Sequence, residues 1–240
     1  MNKMAVPPMN ESQDLAAFFA ELSEELHSDT SEPLTFEKVI KRAVETIPGC
    51  DHASITLRGK RGRAETVAST DEPATRADEL QYSLEEGPCV DAAFESTDFV
   101  IDDLLDEPRW PRWAPACAEL GLRAALAIRL HTETETLGAL NLYSQTPHVF
   151  DEESRTVAWI YASHAADAMS NARLVSGLRA ALESRHTIGI AQGVLAVRYD
   201  ISYERAFQVM HRLSNDRNIK LRALAQEILD ERGLPPGART

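Results

Sequence analysis

Arg205 and Arg212 stand seven residues apart, so on a helix their guanidinium groups lie on one side. Lys220 and Arg222 come at the start of a further helical pattern, where unpaired backbone N–H groups also favour a phosphate. Gln192 and Arg198 project from an earlier helical stretch, and Gly193 lets a base or a backbone approach closely. With Asn218 these residues form a set of cations and amides suited to a polyanion that also displays base edges. Singly, each is ordinary solvated surface, and the case for contact rests on the set.

The chain has 240 residues and a formal net charge of −13, which by itself argues against a nucleic-acid partner, because Lys and Arg dominate phosphate binding. The sum hides an asymmetry. Residues 1–164 hold 14 basic and 30 acidic side chains, a formal −16, whereas residues 165–240 hold 11 and 8, a formal +3. The N-terminal residues lack the apolar core of a signal peptide, and no apolar run approaches the roughly 18 residues of a membrane helix. A cytoplasmic protein without membrane contact is expected. Cys50, Cys89 and Cys117 are odd in number and widely spaced, which fits buried free thiols rather than a disulfide framework.

The elements that must position these groups are legible from hydrophobic period. Residues 1–11, with two prolines, read as a disordered tail. Leu15, Phe18, Phe19, Leu22 and Leu26 make one helical stripe, and Phe36, Val39, Ile40, Ala43 and Ile47 a second, with Thr35 as its expected cap. The period then changes to two: Ala53, Ile55 and Leu57 lead through a turn at 59–62 into Ala64 to Thr70, a β-hairpin. Helices around Ala74 to Leu84, Cys89 to Phe94 and Ala114 to Glu119 alternate with strands at Phe99 to Ile101, Ala124 to Leu130 and Leu137 to Tyr143. Helices flanking an antiparallel sheet define an α+β domain.

From Glu152 to Arg185 the chain has no proline, and Leu174, Leu178 and Leu182 recur at four-residue steps. This predicts a long coiled-coil-like helix that buries its stripe against a second copy, hence a homodimer. Three amphipathic segments close the chain. The first runs through Ile188, Ala191 and Leu195; the second is capped by Ser202 and places Ala206, Phe207, Met210 and Leu213 in the core; the third is capped by Asn218 and carries Leu221, Leu224, Ala225 and Ile228. Gly233 and Pro235 stop it.

The pattern Ala191-x-Gly193-x-Leu195, Ala206-Phe207, Arg212, Ser214, Asn218, Lys220-Leu221 and Ala225 resembles the ANTAR domain, a three-helix RNA-binding module of bacterial transcription antiterminators. The resemblance spans about residues 176–237 and overlaps a linker helix over 165–187. Residues 12–164 resemble a GAF sensor domain through Glu85-Glu86-Gly87-Pro88-Cys89-Val90-Asp91-Ala92, Arg109-Trp110-Pro111, and Leu137-Gly138-Ala139-Leu140-Asn141-Leu142-Tyr143 followed by Phe150-Asp151. The order of the two is that of actinobacterial GAF and ANTAR regulators. It implies a GAF domain that senses a small-molecule ligand, redox state or partner, and an ANTAR bundle that binds tandem stem-loops of a nascent transcript. The RNA contacts it implies are Gln192, Gly193, Arg198, Arg205, Arg212, Asn218, Lys220 and Arg222.

Other chemistries fare less well. Asp102-Asp103 after a short strand looks like the acidic pocket of a phosphorylated receiver, but a receiver also needs a lysine after its last strand, and none occurs between Lys60 and Lys220. Some GAF domains reduce free methionine sulfoxide with cysteine thiolates, which keeps an enzyme alternative open, yet no activated pair is evident and catalysis is not expected. No cofactor or metal is expected either: Cys50-Asp51-His52 is too local for a metal site, and His131, His148 and His164 read as loop histidines rather than haem ligands. A protein-interaction adaptor that dimerises but ignores RNA is the remaining alternative. The second and third C-terminal helices lack the polar run of a DNA-reading helix.

Overall fold

The computed structural model describes residues 12–28, 31–59, 64–95 and 98–235. The expected tail at 1–11, most of the turn at 59–62, and the side chains of Leu15 and Phe94 lie outside the described residues. The chain divides into two compact units, Met1–Val175 and Ser176–Thr240.

In the first unit, α1 (Ser12–His27) and α2 (Glu32–Thr46) precede β1 (His52–Arg58) and β2 (Ala64–Ser69). Then come α3 (Glu72–Leu84), α4 (Pro88–Glu95), β3 (Phe99–Ile101), α5 (Trp113–Glu119), β4 (Ala124–His131) and β5 (Thr136–Ser144), and the helix α6 (Glu152–Tyr199) begins. The strands form one sheet in the order β2-β1-β5-β4-β3, with every neighbouring pair antiparallel. Side-chain alternation gives this sheet two unlike faces. Ala53, Ile55, Leu126, Ile128, Leu130, Leu140 and Leu142 join Leu22, Leu26, Val39, Ile40 and Tyr161 from α1, α2 and α6 in the main apolar core. Full burial of each large side chain there contributes about 1.5–3 kcal/mol. The opposite face carries the small or polar Ser54, Thr56, Ala125, Ala127, Ala139, Asn141 and Tyr143, all buried. Gly138 is required by the pairing itself: a Cβ there would stand 1.9 Å from the Thr56 carbonyl oxygen.

Thr35 does not cap α2. The helix begins at Glu32 with Ser31 before it and a proline in its first turn, whose fixed φ and missing N–H suit that place. Thr35 is buried one turn in and donates its hydroxyl to the Ser31 carbonyl at 3.0 Å.

The second unit consists of the final turns of α6, then α7 (Tyr203–Asp216) and α8 (Leu221–Asp230). The linker helix and the first helix of the bundle are thus a single element. Ala191, Leu195, Ala206, Val209, Met210, Leu213, Leu224, Ala225 and Ile228 form its core. Phe207 is not part of that core: it is 40% exposed, and Val209 takes the place expected for it. A face centred on Ala206 and Met210 reaches Val209 and Leu213 at the three- and four-residue steps, while Phe207 lies about 100° round the helix from Ala206. Leu174, Leu178 and Leu182 are 67%, 62% and 60% exposed, so the described residues leave this stripe uncovered. No helix among the described residues is long and apolar enough to cross a membrane.

Candidate nucleic-acid interface

The helices of the second unit are tied at their ends by residues that sequence reading assigned to ligand contact. Ser202 caps α7 as expected, its hydroxyl accepting the Arg205 N–H at 3.1 Å. Asn218 is not the cap of α8, a place taken by Lys220. Instead Asn218 adopts the left-handed conformation (φ +50°) that ends α7, with its own N–H donating to the Asn215 carbonyl and that of Ile219 to the Ser214 carbonyl. Asn tolerates this region better than most residues. At the end of α8 the left-handed residue is Arg232, and Gly233 follows it, its N–H donating to the Ile228 carbonyl at 3.0 Å.

Gln192 donates its side-chain amide to the Tyr203 carbonyl at 2.8 Å, fixing the start of α7 against α6. Gly193 lies beside it, where an added Cβ would meet the Tyr203 hydroxyl at 3.6 Å. Arg198 donates to the Arg232 carbonyl at 2.7 Å and so closes the end of α8. Arg222 is within 3.6 Å of Glu183. Arg205, Arg212 and Lys220 are exposed. The structure therefore gathers Asn218, Lys220 and Arg222 in the turn into α8, sets Arg205 and Arg212 along α7, and places Gln192 and Gly193 at the α6–α7 corner. Phe207, expected in the core, instead lines a shallow depression on the outer side of α7 with Gln208, His211, Arg212, Asn215 and Asp216.

The first unit holds a polar cluster over the small-residue face of its sheet. Asp78 and Gln81 of α3 are fully buried there. Asp78 accepts from the Tyr143 hydroxyl at 2.8 Å, the Asn141 amide at 3.2 Å and the Thr66 hydroxyl at 2.8 Å. Asn141 also reaches Ser54 at 3.1 Å and Thr56 at 3.0 Å, while its side-chain oxygen is buried without a partner among the described residues. Burial outweighs these hydrogen bonds and pushes the Asp78 carboxyl up to about 6.

The sequence signatures of this unit serve architecture. Glu86 accepts the Arg112 and Trp113 N–H groups at the start of α5, at 2.7 and 3.0 Å, and pairs with the Arg112 guanidinium at 2.8 Å. Trp110 donates to Asp91 at 2.9 Å. Gly87, at φ +148°, leaves room for Gln81, whose side-chain oxygen accepts the Cys89 N–H at 2.7 Å. Asp103 is bound by Arg123 at 2.6 Å, which holds its carboxyl below the usual range, while Asp102 and Asp106 are exposed. The thiols of Cys50, Cys89 and Cys117 are buried in three separate clusters, and burial pushes each of them up, away from the thiolate. His131 and His148 are exposed, but His164 lies within α6 and stacks on Phe19 at 5.8 Å. No group of three or more His, Cys, Asp or Glu side chains suited to a metal occurs among the described residues.

The first unit is thus a helix-flanked antiparallel sheet with a buried polar cluster, and the second a helical unit with exposed cations. Residues 29–170 match the GAF domain family, and the chain belongs to it. Residues 176–229 match the ANTAR domain. An ANTAR domain implies RNA-binding antitermination regulation, and a GAF domain a sensory role, which together indicate a regulator rather than an enzyme. The fold is similar to the GAF domain of a phosphoenolpyruvate-protein phosphotransferase from Coxiella burnetii, 18% identical with a TM-score of 0.54, over 70% of this chain and 99% of that one. It is also similar to the corresponding Acinetobacter domain, 14% identical with a TM-score of 0.51, over 70% of this chain and 98% of that one. A bacteriophytochrome from R. palustris is 14% identical with a TM-score of 0.54, over 79% of this chain and 44% of that one. These likenesses show the fold alone. No curated protein matches the chain.

Proposed function

We propose that the chain is a homodimeric antitermination regulator: its GAF unit receives a ligand, redox or partner signal, and its ANTAR module binds tandem stem-loops in a nascent transcript. The observation that carries this reading is the ANTAR match laid over an exposed set of cations, Arg205, Arg212 and Lys220. Gln192, Gly193, Arg198, Asn218 and Arg222 complete the contact set: Gln192, Arg198 and Asn218 also hold the corners of the bundle, Gly193 lets a base or backbone approach closely, and Arg222 lends charge beside Lys220. Pairing of two chains along Leu174, Leu178 and Leu182 supports recognition of two stem-loops at once, because those leucines are exposed and unbroken by proline.

The signal must bind two arrangements of the regulator with different affinity, since equal affinity shifts nothing. The polar cluster of Asp78, Asn141 and Tyr143 contains one buried acceptor, the Asn141 side-chain oxygen, without a partner among the described residues. Strong acidity over residues 1–164 keeps RNA to the C-terminal module. A filter-binding titration of the full chain with a tandem stem-loop RNA tests the reading. Binding that weakens in Arg212→Ala and Lys220→Ala supports it, and no binding at low salt by the dimer overturns it.

A further inference from the structure

Tyr203, Phe207 and His211 follow one another at four-residue steps along α7. Each step advances about 6 Å along the helix and turns it by about 40°, so the three rings form one row on a single flank. All three are exposed, Tyr203 by 58% and Phe207 by 40%, and the Phe207 and His211 ring centres are 6.3 Å apart. Packing does not account for the row. The core side of α7 is filled by Ala206, Val209, Met210 and Leu213, and Tyr203 and Phe207 lie outside that core.

The surroundings favour a flat partner with polar edges. Gly193 keeps the floor beside Tyr203 free of a side chain, and the Gln192 amide fixes the backbone from which that ring projects. Gln208, Arg212, Asn215 and Asp216 border Phe207 and His211: the amides suit base edges, and the Asp216 carboxylate beside the Arg212 guanidinium leaves this rim without net charge. Aromatic faces next to cations are how proteins hold unstacked bases, whatever their sequence.

We propose that Tyr203, Phe207 and His211 are a stacking surface for unpaired bases of the RNA loop, with Phe207 as its central ring. The proposal rests on the RNA-binding reading above and adds to it a second kind of contact. Cations set affinity through counterion release and hence through salt, whereas stacking adds a contribution that salt scarcely touches.

The test uses the full chain and a tandem stem-loop RNA carrying 2-aminopurine at an unpaired loop position. On binding to the unsubstituted chain, 2-aminopurine emission changes as the base stacks. Phe207→Leu keeps apolar volume and removes the ring face; affinity falls about 5- to 100-fold, the emission change is lost, and the slope of log affinity against log salt is unchanged. Phe207→Trp keeps both signals, and an unchanged far-UV circular dichroism spectrum and melting temperature in Phe207→Leu separate loss of the ring from loss of folding. Equal affinity and equal emission change in Phe207→Leu and Tyr203→Leu overturn the stacking surface while leaving RNA binding intact, and assign the row to another partner. Absence of RNA binding by the unsubstituted chain overturns both readings.

Discussion

The Tyr143 hydroxyl donates to Asp78 across 2.8 Å, joining the central strand β5 to helix α3 in a fully buried polar cluster. Because burial raises the Asp78 carboxyl to about 6, the folded chain keeps its proton at pH values where the unfolded chain has lost it. Native stability therefore falls as pH rises from the ordinary carboxylate value, about 4, to about 6, and this penalty is constant above that window. Asp78→Asn carries no such penalty. Its melting temperature relative to the unsubstituted chain moves upward between pH 4 and pH 7 and is level beyond; a difference independent of pH contradicts the assignment.

Burial also sets thiol reactivity. Cys50, Cys89 and Cys117 are enclosed, with their ionisation disfavoured. A chromogenic disulfide reagent at neutral pH is expected to leave all three unmodified in the native chain over minutes and to titrate three thiols after denaturation. Rapid native labelling of any one of them reopens thiolate chemistry in the GAF unit.

Met210 lies at the centre of the ANTAR core and is fully buried. Met210→Ala is expected to cost about 2–5 kcal/mol through lost contact and the cavity left behind. In urea unfolding followed by far-UV circular dichroism, the helical module melts early in this variant. An unchanged midpoint would show that the core has been misplaced.

The leucine stripe is tested by mass. A dimer has twice the 26.6 kDa of one chain, and light scattering reads it directly. Leu178→Glu with Leu182→Glu sets like charges facing one another along the paired helices and is expected to yield monomers with unchanged secondary structure. A dimer that survives both changes places the interface elsewhere.

Much of the first unit was legible because strand alternation is a strong signal: Ala53 and Ile55 face the main core, while Ser54 and Thr56 face the polar cluster. The cluster itself was not, since Asp78 and Asn141 lie 63 residues apart in sequence and only the fold brings them to 3.2 Å. In the second unit the helices were legible but one face was misassigned. Ala206, Phe207, Met210 and Leu213 fit a helical period nearly as well as Ala206, Val209, Met210 and Leu213, and the packing of α6 and α8 selects the second set. Asn218 was read as a helix start because Asn serves both there and in the left-handed turn that ends a helix. The two roles differ by backbone angle, which sequence does not display.

The central claim is that exposed cations of the ANTAR module hold RNA. Titrating the full chain with a tandem stem-loop RNA over a range of salt concentrations tests it most directly. The account predicts salt-dependent binding by the dimer, with the slope of log affinity against log salt reduced by about one unit for each phosphate contact removed in Arg212→Ala or Lys220→Ala. No binding at low salt, or binding whose strength and salt slope are the same in both variants, would contradict it.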